Sequence, residues 1–103
     1  MSSIRVDTYV LETLMPDLVG HDRQPSALVV YLCLWRLWRG SGRRTVRASY
    51  RDLARETGLS KGAAQAAVQR LVRRGLVTVR HPSATAVPEY AVLRPWAKRG
   101  GTA

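Results

Sequence analysis

Apolar residues recur along this chain with different periods, and the changes of period divide it into elements. Between Ile4 and Gly20, residues Val10, Leu11, Leu14, Met15, Leu18 and Val19 return at i, i+3, i+4 and i+7, an amphipathic helical stripe. Pro16 lacks the N–H that a continuous helix uses, so the pattern predicts one helix to about Leu14 and a short second turn from Pro16. A polar connector, Gly20 to Pro25, follows. From Ser26 to Arg39 the chain is apolar almost all round until its last turn, although one stripe is enough for a helix on a small core. A second face of this helix must therefore be buried, beneath the N-terminal segment or against another subunit. Tyr31, Trp35 and Trp38 at helical spacing read as core or interface rather than a ligand cage. Gly40 and Gly42 end the helix.

Ser49 to Arg80 reads as helix, tight turn, helix and strand. Ser49 caps a helix from about Tyr50 to Glu56, with Asp52 placing negative charge in the first turn. Gly58 supplies the left-handed residue that ends it, Leu59 points back to the core, and Ser60 caps a second helix from Lys61 to about Arg74. A connection this short containing Gly has helix-turn-helix spacing, which leaves the second helix free for a major groove. At ~100° per residue, Ala64, Ala67, Val68 and Leu71 share the inner face. Gly62, Gln65, Ala66, Gln69, Arg70 and Arg73 share the outer one, with no acid among them. Small residues permit close approach to a base-pair edge, Gln pairs with adenine, and Arg pairs with guanine or phosphate. The competing reading is a solvated face, but such faces ordinarily mix signs.

After Gly75, Leu76 to Arg80 alternates as a half-buried strand, as does Glu89 to Leu93. His81 to Pro88, with two prolines and small polar residues, reads as the hairpin loop between them, a wing with Arg80 and His81 at its base. Its tip lacks the arginine that minor-groove readers insert. Thr45 and Val46 form a short β-prone segment that could complete a three-stranded sheet. Arg43, Arg44 and Arg47 around it could reach phosphates or simply line a solvated loop.

The run Arg-Asp-Leu-Ala-Arg-Glu-Thr-Gly-Leu-Ser-Lys, followed by Leu-Val-Arg-Arg-Gly-Leu-Val-Thr-Val, resembles the winged helix-turn-helix superfamily over roughly Ser26 to Trp96. Similar chains include small bacterial transcriptional regulators and the DNA-binding domains of plasmid and phage replication or partition proteins. The resemblance implies a mainly α fold with a small β-hairpin (α+β), here with an extra N-terminal helix, and duplex DNA as partner. It does not separate regulator from replication or partition factor.

Composition agrees with a polyanionic partner: 17 Lys and Arg against 7 Asp and Glu give a formal charge of +10. The 103 residues allow one domain, 1–97 with residues 1–24 as helical extension, and a loose basic tail at 98–103. The longest apolar run, Ala27 to Trp35, is far short of the ~20 residues that span a bilayer, and no leader pattern is visible, so a cytoplasmic, nucleoid-associated protein is expected. Cys33, the one cysteine, lies in that apolar run and reads as a small buried hydrophobe. His21 has no metal-ligand spacing around it, and no phosphate loop or serine elbow occurs. Asp52 and Glu56 share a helix with Arg51 and Arg55, which fits ion pairing better than an acid/base dyad. No enzyme, metal, cofactor or small-molecule ligand is expected.

The expectation is thus a DNA-binding regulator that inserts helix 61–74 into the major groove as a homodimer and represses by occupancy. Its DNA-contact residues would be Ser60, Lys61, Gly62, Gln65, Ala66, Gln69, Arg70 and Arg73, with Arg43, Arg44, Arg47 and Arg80 on the backbone. The homodimer would form through the N-terminal helix and helix 27–38. The alternatives are a replication-origin or partition-site binder, and a protein-interaction module that docks a partner through helix 27–38.

Overall fold

The N-terminal stripe forms a helix that does not stop at Pro16. In the computed structural model, which describes residues 2–97, the chain is helical from Thr8 to His21. It contains two π-helical segments, Val10–Leu14 and Asp17–His21, closed by bonds from Met15 N–H to the Val10 carbonyl and from Asp22 N–H to that of Asp17. Pro16 keeps helical angles, φ −63° and ψ −28°. The expected break therefore becomes a change of helix type: the wider π turns accommodate a ring that a regular α-turn would press against a carbonyl. Arg23, in the left-handed region at φ 54°, then turns the chain into the next helix.

That helix, α1 (Pro25–Ser41), begins on the preset φ of its proline and ends at Gly42, whose φ of 69° a side chain would resist. Then come β1 (Val46–Arg47), α2 (Tyr50–Thr57), α3 (Lys61–Arg73), β2 (Val77–Arg80) and β3 (Glu89–Val92). The strands form one antiparallel sheet in the order β1-β3-β2. The third strand is thus Val46–Arg47, one residue on from the expected Thr45 to Val46, and the wing is the β2–β3 loop. The expectation for 98–103 lies outside the described residues.

α1 uses its apolar surplus inside the chain. On one side its buried residues meet Leu53 of α2 and Ala64, Ala67, Val68 and Leu71 of α3 in a single core with Val77, Tyr90 and Val92. On the other, the N-terminal helix covers it with Val10, Leu14 and Leu18, all buried. Each such side chain stabilises the docked segment by about 1.5–3 kcal/mol. Polar pins add direction: Trp35 Nε1 donates to the Arg5 carbonyl at 2.7 Å, and Tyr31 Oη donates to that of Leu93 at 2.7 Å. Asp7 accepts from Arg94 Nε at 2.8 Å and from Trp96 Nε1 at 3.0 Å, while Tyr9 stacks on Trp96 at 4.6 Å. Of the two coverings left open by the sequence, the N-terminal segment is therefore the one used. Cys33 is buried as expected, and desolvation raises its thiol pKa.

Candidate nucleic-acid interface

The presentation of α3 depends on the short helix before it. Ser49 and Asp52 form a reciprocal capping box: Asp52 N–H donates to Ser49 Oγ at 2.9 Å, and Ser49 N–H donates to Asp52 Oδ2 at 3.0 Å. The bond from Ser49 N–H foremost, then the Ser49 hydroxyl beside the carboxyl, hold Asp52 below its ordinary pKa. Gly58 ends α2 at φ 82°, and Thr57 Oγ1 both donates to the Leu53 carbonyl at 2.6 Å and accepts from Leu59 N–H at 3.2 Å. Leu59 packs on the core, and Ser60 Oγ accepts from Ala63 N–H at 3.0 Å to start α3. Every link in this turn is satisfied locally, so the angle between α2 and α3 is fixed by the sequence itself. The Ser60 hydroxyl accepts this bond with one lone pair, which leaves its proton and second lone pair for an outside partner.

The inner face of α3 is buried at Ala64, Ala67, Val68 and Leu71, as the periodicity requires. Lys61, Gly62, Gln65, Ala66, Gln69 and Arg73 are exposed together. Arg70 is not among them. It is half-buried on one flank of the helix, where Nε donates to Gln24 Oε1 at 3.0 Å and Nη1 stands 4.0 Å from Asp22 Oδ2. One turn on, Arg74 pairs with Asp17 and lies with Nε 3.2 Å from Asp22 Oδ2. By contrast, among the described residues no carboxylate lies within 4.0 Å of Lys61 or Arg73.

The other flank of α3 faces the wing across an open hollow of about 560 Å³, lined by Tyr50, Val68, Gln69, Val72, Arg73, Val79 and His81. Val72, an exposed apolar residue, belongs to this surface, and the helical pattern alone did not assign it. His81 joins it from the end of β2. The rim carries Gln69, Arg73 and His81 and no acid, so the groove between recognition helix and wing is polar and cationic over an apolar floor.

The remaining basic candidates divide by strand register. Arg47 and Arg80 both pair opposite Glu89, with Arg47 Nε 3.5 Å and Arg80 Nη1 3.8 Å from its carboxylate. The fold thus brings them together at the wing base, around an acid whose position only the register reveals. β1 runs toward the wing, since Val46 faces Tyr90 and Arg47 faces Glu89. Arg43 and Arg44 precede β1, outside the strand pairing. Both border a hollow with Trp38 and Arg39, whose guanidinium lies 4.5 Å over the Trp38 ring, and Arg43 also lines a second hollow with Arg47 and Glu89; α3 lines neither.

The acids that could have suggested chemistry are engaged structurally. Asp52 pairs with Arg55 at 3.1 Å and Glu56 with Arg36 at 2.6 Å. Among the described residues no cluster of His, Cys, Asp and Glu could hold a metal ion, and no helix is long and apolar enough to cross a membrane.

A helix held this way beside a three-stranded sheet and a hairpin loop is the winged helix-turn-helix arrangement. Residues 39–86, from the end of α1 through α3 and β2 into the wing, match the model of the MarR family. No curated protein and no solved structure matches the chain. The match supports a DNA-binding transcriptional regulator. The chain has the winged helix-turn-helix fold, and its central 39–86 segment is similar to the MarR family, a winged helix-turn-helix DNA-binding family.

Proposed function

We propose that this protein regulates transcription by occupying duplex DNA in the cytoplasm, as a homodimer whose α3 helices enter successive major grooves. The observation that carries this reading is the outward face of α3, where Gln65, Gln69, Lys61 and Arg73 stand exposed around Gly62 and Ala66 with no acid among them. Gln65, nearer the helix N-terminus, reads a base edge, with Gln69 second. Lys61 and Arg73 hold phosphates, and Arg47 and Arg80 add backbone contacts at the wing base. Arg43, which shares a hollow with Arg47 and Glu89, and Arg44 are further backbone candidates. With no catalytic constellation offered, repression by occupancy is the simplest mode. A single domain over 1–97 is sufficient for it.

The two substitutions Gln65→Ala and Arg73→Ala separate reading from anchoring. Gln65→Ala is expected to cost about 1–3 kcal/mol on a selected site and less on random duplex. Arg73→Ala is expected to weaken both alike and to reduce the salt slope by about one. If Gln65→Ala leaves the ratio of specific to non-specific affinity unchanged while Arg80→Ala collapses it, the wing is the reader and α3 is not.

The proposed dimer draws less on α1, whose apolar residues are mostly covered although Val29 stays 38% exposed and Leu32, Leu37 and Trp38 are only partly buried. The surface that supports it lies on the N-terminal helix, where Leu11, Met15 and Val19 are 49%, 37% and 38% exposed at four-residue spacing on one outward line. The same coverage weakens the case for α1 as a docking helix. Two half-sites about 34 Å apart would match a dimer. Sedimentation at micromolar concentration should show a dimer that Met15→Glu dissociates, and a monomeric wild-type chain would contradict the assembly.

A further inference from the structure

We propose that Asp22, with Gln24 and Asp17, withdraws Arg70 and Arg74 from the DNA-contact set and so keeps the recognition surface dependent on its glutamines. The inference rests on the reading of α3 as the DNA-binding helix and assigns a positioning role to residues outside it.

Four of the seven acids but only Arg5 of the seventeen basic residues fall in the chain up to Asp22, so the N-terminal segment is an acidic strip on a basic protein. The strip packs on α1, and its end, at Asp17 and Asp22, meets Arg70 and Arg74 on the flank of α3. The Asp22 side chain is only 5% exposed, and its Oδ2, though close to both guanidiniums, makes no hydrogen bond. Its other oxygen meets His21 Nδ1 at 3.0 Å. The His21 contact foremost, then the charges of Arg74 and Arg70, holds the Asp22 carboxyl below its ordinary value, so it stays ionised at neutral pH. Arg23, at φ 54° between them, is the turn that lets Asp22 and Gln24 meet the same guanidinium.

Arg70 is one turn from Ala66 and from Arg73 on the exposed face, within reach of a duplex seated there. A free arginine at that place would bind phosphate on any sequence, raising non-specific affinity without adding discrimination. Loss of the Asp22 charge leaves Arg74 on Asp17 but leaves Arg70 only the neutral Gln24 amide. Asp22→Asn therefore releases Arg70 in particular.

The test is a salt series of affinity on random and selected duplexes for the full chain, Arg70→Gln, Asp22→Asn and the double variant. Arg70→Gln in the otherwise wild-type chain should leave the salt slope unchanged. Asp22→Asn should steepen it by about 0.9, the value of one added phosphate contact, tighten random-duplex binding several-fold and lower the specificity ratio. The double variant should return to the wild-type slope. A slope flattened by about one in Arg70→Gln alone would show Arg70 already on a phosphate and overturn the inference, and this arm decides even if Asp22→Asn fails to fold. A folded Asp22→Asn that melts earlier with slope and ratio unmoved would make the contact merely structural. A wild-type chain that binds no duplex would instead remove the DNA reading, and this inference with it.

Discussion

Single residues at the turn between α2 and α3 fix the interface more firmly than any surface charge does. Gly58 sits at φ 82° with nothing within 4 Å of the position a Cβ would take, so its cost to replace is conformational rather than steric. Gly58→Ala should destabilise by about 1–2 kcal/mol and Gly58→Asn by less, measured by thermal or denaturant unfolding. A neutral alanine variant would mean that the turn is not held in the left-handed region. Gly58, Ser49 and Ser60 were all legible in the sequence because caps act within three residues of themselves. Glu89 was not, since its meeting with Arg47 and Arg80 is a property of strand register. Asp22 and Gln24 were equally opaque: a polar connector gives no local sign that it will hold a guanidinium far along the chain, 46 positions away in the case of Gln24.

At the scale of elements, periodicity located α1, α2, α3 and both hairpin strands to within one or two residues, because α2, α3 and the strands each bury one continuous stripe and α1 is a long apolar run with clear ends. The N-terminal helix shows where that logic stops. Pro16 correctly marks an irregularity, but whether the chain breaks or passes through a π turn depends on what lies beneath it, and here Leu14 and Leu18 are both drawn onto α1. The apolar excess of α1 was likewise visible, while its covering was not, since a helix pattern does not say which neighbour it meets. Leu18→Ala tests whether the extension is integral: at 0% exposure the substitution should cost about 2–5 kcal/mol in a single cooperative transition. A loss below about 0.5 kcal/mol, the range of surface substitutions, would make the segment an appendage.

Across the whole molecule, the excess charge is distributed rather than uniform. Six of the seven acids pair with basic side chains within the described residues, at the N-terminal latch, the α2 surface and the wing base. The unpaired cations on α3, Lys61 and Arg73, are left at the face where small and amide-bearing residues permit close approach. Composition announced a polyanionic partner, and only the fold says which cations are available to it. The most direct test is affinity for duplex DNA across a salt series. With Lys61, Arg73, Arg47 and Arg80 each on a phosphate, log affinity should fall against log salt with a slope of about −3.6 per protomer. A flat response, or no binding at low salt, would contradict the assignment of this winged helix to DNA.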